Sequence, residues 1–135
     1  MPRLFRESPL SSIWEGSGNV QALDVLRAMI KSPAATAAFA DEVGAAAGAE
    51  PRLDRFGAAL SADLKDTTDL EFRARGLVER MALALQASLL VRHGDQAVAD
   101  AFCASRLEGD WGRAFGTLPS GTDAARIIER HQPQA

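Results

Sequence analysis

"TDLEFRARGLVERMALALQASLLVRHG", Thr68 to Gly94, is the clearest helix in the chain. Leu70, Leu77, Met81, Leu85 and Leu89 recur at spacings of seven and four, which lines them on one helical stripe. Thr68 with Glu71 matches the S/T-x-x-E capping box, and Gly94 stands where a C-terminal glycine closes a helix. The most apolar part, "MALALQASLLV", is broken by Gln86 and Ser88 and falls short of the roughly 18–20 residues of a membrane span.

Working outward from this helix, the preceding residues predict three more. One starts near Gly16 to Gly18 and runs to Lys31, with Val20, Leu23, Leu26 and Ile30 on one stripe. Asp24 and Arg27 sit on its other side, and Arg27 with Lys31 suits its C-terminus. Ser32–Pro33 is a stop and restart: Ser32 can cap the next helix and Pro33 suits its first position. That helix extends to about Ala47 and ends at Gly48. Another spans Pro51 to about Lys65, with Leu53, Phe56, Leu60 and Leu64 on one face, before "DTTD" breaks the chain.

Beyond Gly94, a helix over about Asp95–Leu107 is expected to turn Val98, Ala101 and Phe102 inward. "GDWGRAFGTLPSG" is a glycine-rich connection, followed by a short helix over about Thr122–Arg130 and a fraying "QPQA". Residues 1–12 read as extended, because Pro2 and Pro9 each bias the residue before them away from helix. No alternation of period two marks a strand, and no repeat of 20 to 50 residues is present. The expected fold is all-α: an antiparallel, up-and-down helical bundle of about five to six helices with an extended N-terminal segment.

Composition agrees. The chain has 135 residues, 47% hydrophobic and 24% charged, with alanine-rich runs such as "AATAAFA" and "GAAAGAE". Alanine is the best helix former, and small side chains let helices approach closely. The net charge of −3 gives no basic excess for autonomous nucleic-acid binding. Cys103, the single cysteine, excludes a disulfide framework and a thiolate metal site, and among small and apolar neighbours it reads as an inert buried thiol. "MPRLFRESPL" carries charges where a signal peptide needs an apolar core, so a cytoplasmic location is expected.

Several features bear on chemistry. His93 and His131 each stand at a helix end and suit the helix dipole; no metal site is expected, because no histidine pair has ligand spacing. Arg73, Arg75, Arg80, Arg92 and Arg106 could form a phosphate-binding face, but residues 67–113 carry seven acids against six bases. The plainer reading is a solvated face with i, i+4 pairs. Trp111 and Phe115 are expected to fold back as plugs of the bundle; the other reading is a docking surface that needs a partner. In "SSIWEGSGNV", Ser11 to Val20, the GSG turn is neither a P-loop nor a dinucleotide fingerprint. It can still present backbone N–H groups to an anion. Glu15 is either an acid favourable to a helix N-terminus or, beside Ile13 and Trp14, a desolvated carboxyl poised as a general base.

"MPRLFRESPLSSIWEGSGNVQALDVLRAM" resembles the last part of flavin-dependent acyl-CoA dehydrogenases of the AidB (adaptive response to DNA alkylation) type. The family motif is an aromatic-Glu-Gly-Thr stretch opening a helix; here it reads Trp14-Glu15-Gly16-Ser17-Gly18-Asn19, with Ser17 in place of the threonine. The resemblance implies that Glu15 is the base taking the α-proton of an acyl-CoA thioester as FAD takes the β-hydride. It implies that Trp14, Ser17, Gly18 and Asn19 belong to the flavin site. Residues 1–31 would be the end of the dehydrogenase's helical domain. Residues 32–135, with the looser "DAFCASRLEGDWGRAFGTLP", would be the helical C-terminal extension.

Most of the family's flavin pocket and acyl channel precedes this motif. The resemblance therefore implies a C-terminal fragment, inactive alone, that does not bind FAD by itself. The alternative is a non-catalytic helical module for oligomerisation or DNA association. Residues 32–135 carry eleven Lys/Arg against fifteen Asp/Glu, so a homo-oligomer is expected rather than autonomous DNA binding, and no membrane association.

Overall fold

The computed structural model describes residues 2–12, 14, 18–108, 118 and 121–132. Among them are seven α-helices and no strand: α1 (Pro2–Glu7), α2 (Gly18–Lys31), α3 (Pro33–Gly44), α4 (Pro51–Lys65), α5 (Leu70–His93), α6 (Gln96–Arg106) and α7 (Ala124–Arg130), with a 3-10 turn at Ser8–Ser12. The all-α bundle stands. Trp111, Phe115 and most of the connection around them lie outside the described residues.

The expected extended N-terminus is helical instead. Pro2 takes the first helical position, where a missing N–H costs nothing, and Arg3 pairs with Glu7 one turn on at 3.2 Å. Pro9 falls in the 3-10 turn rather than inside α1. The segment buries nothing: Leu4 and Phe5 are exposed, and its contacts are mostly its own.

α5 is the axis, flanked by α2, α3, α4 and α6. Its buried row is Ala74, Leu77, Met81, Ala84, Ala87 and Ser88. Three apolar clusters succeed one another along it. Ala74 packs with Ala22 and Leu26 of α2. Met81 and Ala84 pack with Leu60 of α4, and Ala87 with Leu53 of α4 and Cys103 of α6. As α4 ascends from Leu53 to Leu60, its partners on α5 descend from Ala87 to Met81, so the two helices are antiparallel.

The expected leucine stripe is displaced toward this alanine row. Leu77 and Met81 are buried, Leu85 is half-buried, and Leu89 is 41% exposed. With neighbours on several sides, α5 has no single apolar face, and small residues take the closest approaches. α2 is rotated in the same sense: Ala22 and Leu26 are buried, while Val20 and Ile30 face solvent. α4 matches its expected bounds and turns Leu53, Phe56, Leu60 and Leu64 inward.

Local signals were honoured unevenly. Pro33 opens α3, but Ser32 at the N-cap makes no side-chain cap bond. The Thr68–Glu71 capping box does not form. The N-cap of α5 is Asp69, in the left-handed region at φ 48°, and it makes no cap bond. Asp66 accepts the Thr68 N–H at 2.9 Å, and Arg73 donates to the Asp63, Asp66 and Thr68 carbonyls. Those contacts set the α4–α5 turn in place of a local cap. Gly94 closes α5 at φ −85°, so its role is not a left-handed cap. A Cβ there would fall 2.6 Å from the Leu90 carbonyl oxygen.

Two glycines in and beside α5 should therefore respond in opposite directions. Gly94→Ala should lower unfolding free energy by about 1–3 kcal/mol, since backbone must move. Gly76→Ala, whose Cβ would meet nothing within 4 Å, should raise it by about 0.5–1 kcal/mol. Urea denaturation of both variants checks this.

Candidate functional site

Of the residues that the motif nominates, Glu15 and Ser17 lie outside the described residues; Trp14, Gly18 and Asn19 are described. Trp14 sits in a turn, its N–H donating to the Leu10 carbonyl at 2.9 Å. Its own carbonyl accepts from Gln21 Nε2 at 2.7 Å, which ties the turn to the first part of α2. The indole is 61% exposed. Gly18 and Asn19 begin α2.

Arg75 of α5 meets this edge. Its Nη1 donates to Asn19 Oδ1 at 3.2 Å across 56 residues of sequence. Its guanidinium lies so close over Gly18 that a Cβ there would force it aside. The first N–H groups of a helix have no intrahelical acceptor, and the helix dipole makes that end positive. Arg75 adds a full charge beside them. The start of α2 thus carries a guanidinium and an amide side chain, with an exposed aromatic in the preceding turn; a helix N-terminus beside a cation can hold an anion. The motif nominates Gly18 and Asn19; it does not nominate Arg75, whose partner lies on another helix.

Three of the other arginines, Arg73, Arg80 and Arg92, are engaged by carboxylates, and those partners are not i, i+4 neighbours. Arg73 bonds Asp66 at 3.0 Å and lies 3.9 Å from Asp63. Arg80 pairs with Asp63 and stacks over Phe56 at 5.3 Å. Arg92 bonds Glu42 of α3 at 2.6 Å. Each pairs outside its own helix.

A second polar cluster joins α4 to α6. The Glu50 carboxylate accepts the Arg52 N–H at 2.9 Å and caps α4. It also accepts Arg52 Nε and Nη2, both at 2.7 Å, while Arg52 Nη2 reaches Asp100 of α6 at 2.6 Å. The Arg52 hydrogen bonds hold the Glu50 carboxyl below the usual carboxylate range. Nearby Cys103 is fully buried, and burial pushes its thiol up to about 11. It is protonated at neutral pH and a poor nucleophile, as expected. His93 ends α5 and His131 follows α7, the dipole-friendly positions expected of them. Among the described residues no cluster of three His, Cys, Asp or Glu could hold a metal, and no helix is long and apolar enough to cross a membrane.

Comparison with known proteins finds a relative. Over 108 residues, 80% of the chain, it is 30% identical to the Escherichia coli (strain K12) protein AidB, named as a proposed acyl-CoA dehydrogenase. The chain is a distant relative of AidB. It spans 20% of that protein's length. No protein-family profile matches the chain, and no solved structure matches it. The relationship to AidB therefore concerns a fifth of that protein's length.

The Glu50 cluster has a pH signature. A carboxylate whose pKa falls on folding adds stability above its unfolded value, near 4.5, and loses it as pH drops through the folded value. Glu50→Gln should cost about 1–3 kcal/mol at pH 7. The gap to wild type should shrink below pH 4.5, measured by urea melts at pH 7 and pH 3.

Proposed function

We propose that the chain is the C-terminal helical part of a flavin-dependent acyl-CoA dehydrogenase of the AidB type. Residues 1–31 would close the dehydrogenase's helical domain, and residues 32–135 would be its helical extension. The observation that carries this reading is the 30% identity to AidB over 80% of the chain. The Trp14-Glu15-Gly16-Ser17-Gly18-Asn19 motif at the start of α2 adds the chemistry.

In the assembled enzyme Glu15 is the general base. Its carboxylate takes the α-proton of an acyl-CoA thioester, an acid too weak to ionise in water without a positioned base. FAD, when bound, supplies the hydride acceptor. Trp14 would border the flavin, and Ser17, Gly18 and Asn19 would hold its nucleotide part. The α2 N-terminus with Arg75 fits the anionic diphosphate of that cofactor. Trp14, 61% exposed, fits a surface made to be covered by further protein. One edge does not retain a dinucleotide, so this chain alone is inactive and does not hold FAD. DNA association has less support, because Arg73, Arg80 and Arg92 are engaged by carboxylates.

Two measurements test this. Purified chain mixed with FAD should show no stoichiometric flavin absorbance; full occupancy would mean that the site is complete here. In a chimera placing residues 8–31 into the E. coli relative, Glu15→Gln should keep bound flavin but slow thioester-dependent bleaching by about 10²–10⁴-fold. Undiminished bleaching would remove Glu15 as the base.

A further inference from the structure

An apolar groove of about 500 Å³ runs between α3 and α4, away from the start of α2. The two helices are antiparallel: Ala46 packs with Leu53 near their connecting turn, and Phe39 and Val43 pack around Leu60 and Leu64 beyond it. Two helical glycines, Gly44 of α3 and Gly57 of α4, line the groove. A Cβ at either would meet nothing within 4 Å, so no neighbour requires a glycine there. Neither has the positive φ that would require one either. Glycine is an unfavourable residue in a helix. What these two positions supply instead is open space along an apolar wall.

The polar groups of the groove are sorted by sign. Asp54 stands at the end near the connecting turn, accepting the Gly48 N–H at 3.1 Å. Lys65 stands in the last turn of α4, about 16 Å further along at 1.5 Å per residue. Its sequence neighbours Asp63 and Asp66 are engaged by Arg80 and Arg73, and among the described residues Lys65 has no carboxylate within 4 Å. Because α3 runs opposite to α4, the N-terminus of α3 lies at the Lys65 end. Ser32 makes no side-chain cap there, so the positive end of the α3 dipole is left for another acceptor. Thr36, in the first turn of α3, lines the groove at this end, and its Oγ1 is buried without a hydrogen-bond partner. A lysine ammonium, an uncapped helix N-terminus and an orphan hydroxyl thus share one end, and a carboxylate holds the other.

We propose that the groove binds a single-chain amphiphile with an anionic head, a long-chain carboxylate. Its alkyl tail lies along Phe39, Val43, Gly57 and Leu60. Its head pairs with Lys65 and accepts from the Thr36 hydroxyl once that side chain turns toward it. The volume falls within the roughly 300–1,000 Å³ of small-molecule sites, which are apolar with a few placed polar groups. Asp54 fixes the direction, since a head at the turn end would meet its carboxylate. The site uses none of the motif residues of α2, so the proposal goes beyond the function proposed above and stands or falls separately.

The test is isothermal titration calorimetry of the full chain with dodecanoate below its micelle-forming concentration, with helicity checked by circular dichroism. Binding should saturate at one dodecanoate per chain. From octanoate to dodecanoate, affinity should rise about three- to fourfold per added methylene until the groove is full. Gly57→Leu fills the groove and should abolish binding, while Gly57→Ala should keep it. Lys65→Glu should weaken dodecanoate by about tenfold and leave dodecanol unchanged, a difference that a structural role for Lys65 would not produce. Thr36→Val should weaken dodecanoate by about three- to tenfold without lowering Tm. Absence of saturable binding, or an affinity indifferent to both Gly57→Leu and Lys65→Glu, would overturn the proposal. So would tighter binding of dodecyltrimethylammonium than of dodecanoate, or sedimentation with phosphatidylglycerol vesicles without dodecanoate binding, which would assign the face to a membrane surface.

Discussion

Everything in this fold depends on how closely neighbouring helices can approach α5. Ala74, Ala84, Ala87 and Ser88 are almost wholly inaccessible, and together they pass through three apolar clusters. An alanine buries little apolar area itself. Its contribution is to let Leu26, Leu60 and Leu53 from other helices reach the axis and bury theirs, at about 1.5–3 kcal/mol per large side chain. Ser88 fits the same row because its hydroxyl donates to the Glu42 carbonyl of α3 at 2.9 Å, leaving no unpaired polar group there.

Around that axis, arginine contacts set register. Arg73 fastens the α4–α5 turn, Arg92 joins α5 to α3, Arg52 joins the start of α4 to α6, and Arg126 joins α7 to Asp95 at the start of α6 at 2.8 Å. Half-exposed pairs of this kind contribute modestly to stability. Their geometric effect is larger, since each bidentate or multiply bonded guanidinium admits few relative positions of its two helices. Arg75 belongs to the same set, and its contact with Asn19 couples the start of α2 to the bundle axis.

The sequence was most legible where local chemistry alone decides. α4 has its expected bounds, Pro33 opens α3, and the helix closed by Gly94 is the core of the molecule. It misled where a local rule met a longer-range competitor. The capping box yielded to Asp66 and Arg73, and the leucine stripe of α5 yielded to an alanine row. On α2, Val20 and Ile30 fitted the period but face solvent, because period fixes a stripe and not which side of it the core will take. The first residues form a helix despite their prolines, since Pro2 sits in a first turn that tolerates it. At the start of α2, the motif nominates Gly18 and Asn19. Arg75 and the Glu50–Arg52–Asp100 cluster are not legible that way, because their partners lie 56 and 48 residues away.

A fold organised this way should open from its periphery inward. Its N-terminal helix buries nothing, and its central helix touches four others. Native-state hydrogen exchange, followed residue by residue, measures that order directly. The amides of Ala84, Ala87 and Ser88 should exchange last, only through global unfolding, while those of Phe5 to Glu7 should exchange with little protection. Exchange of the α5 amides ahead of those in α4 or α6 would contradict a bundle built around α5.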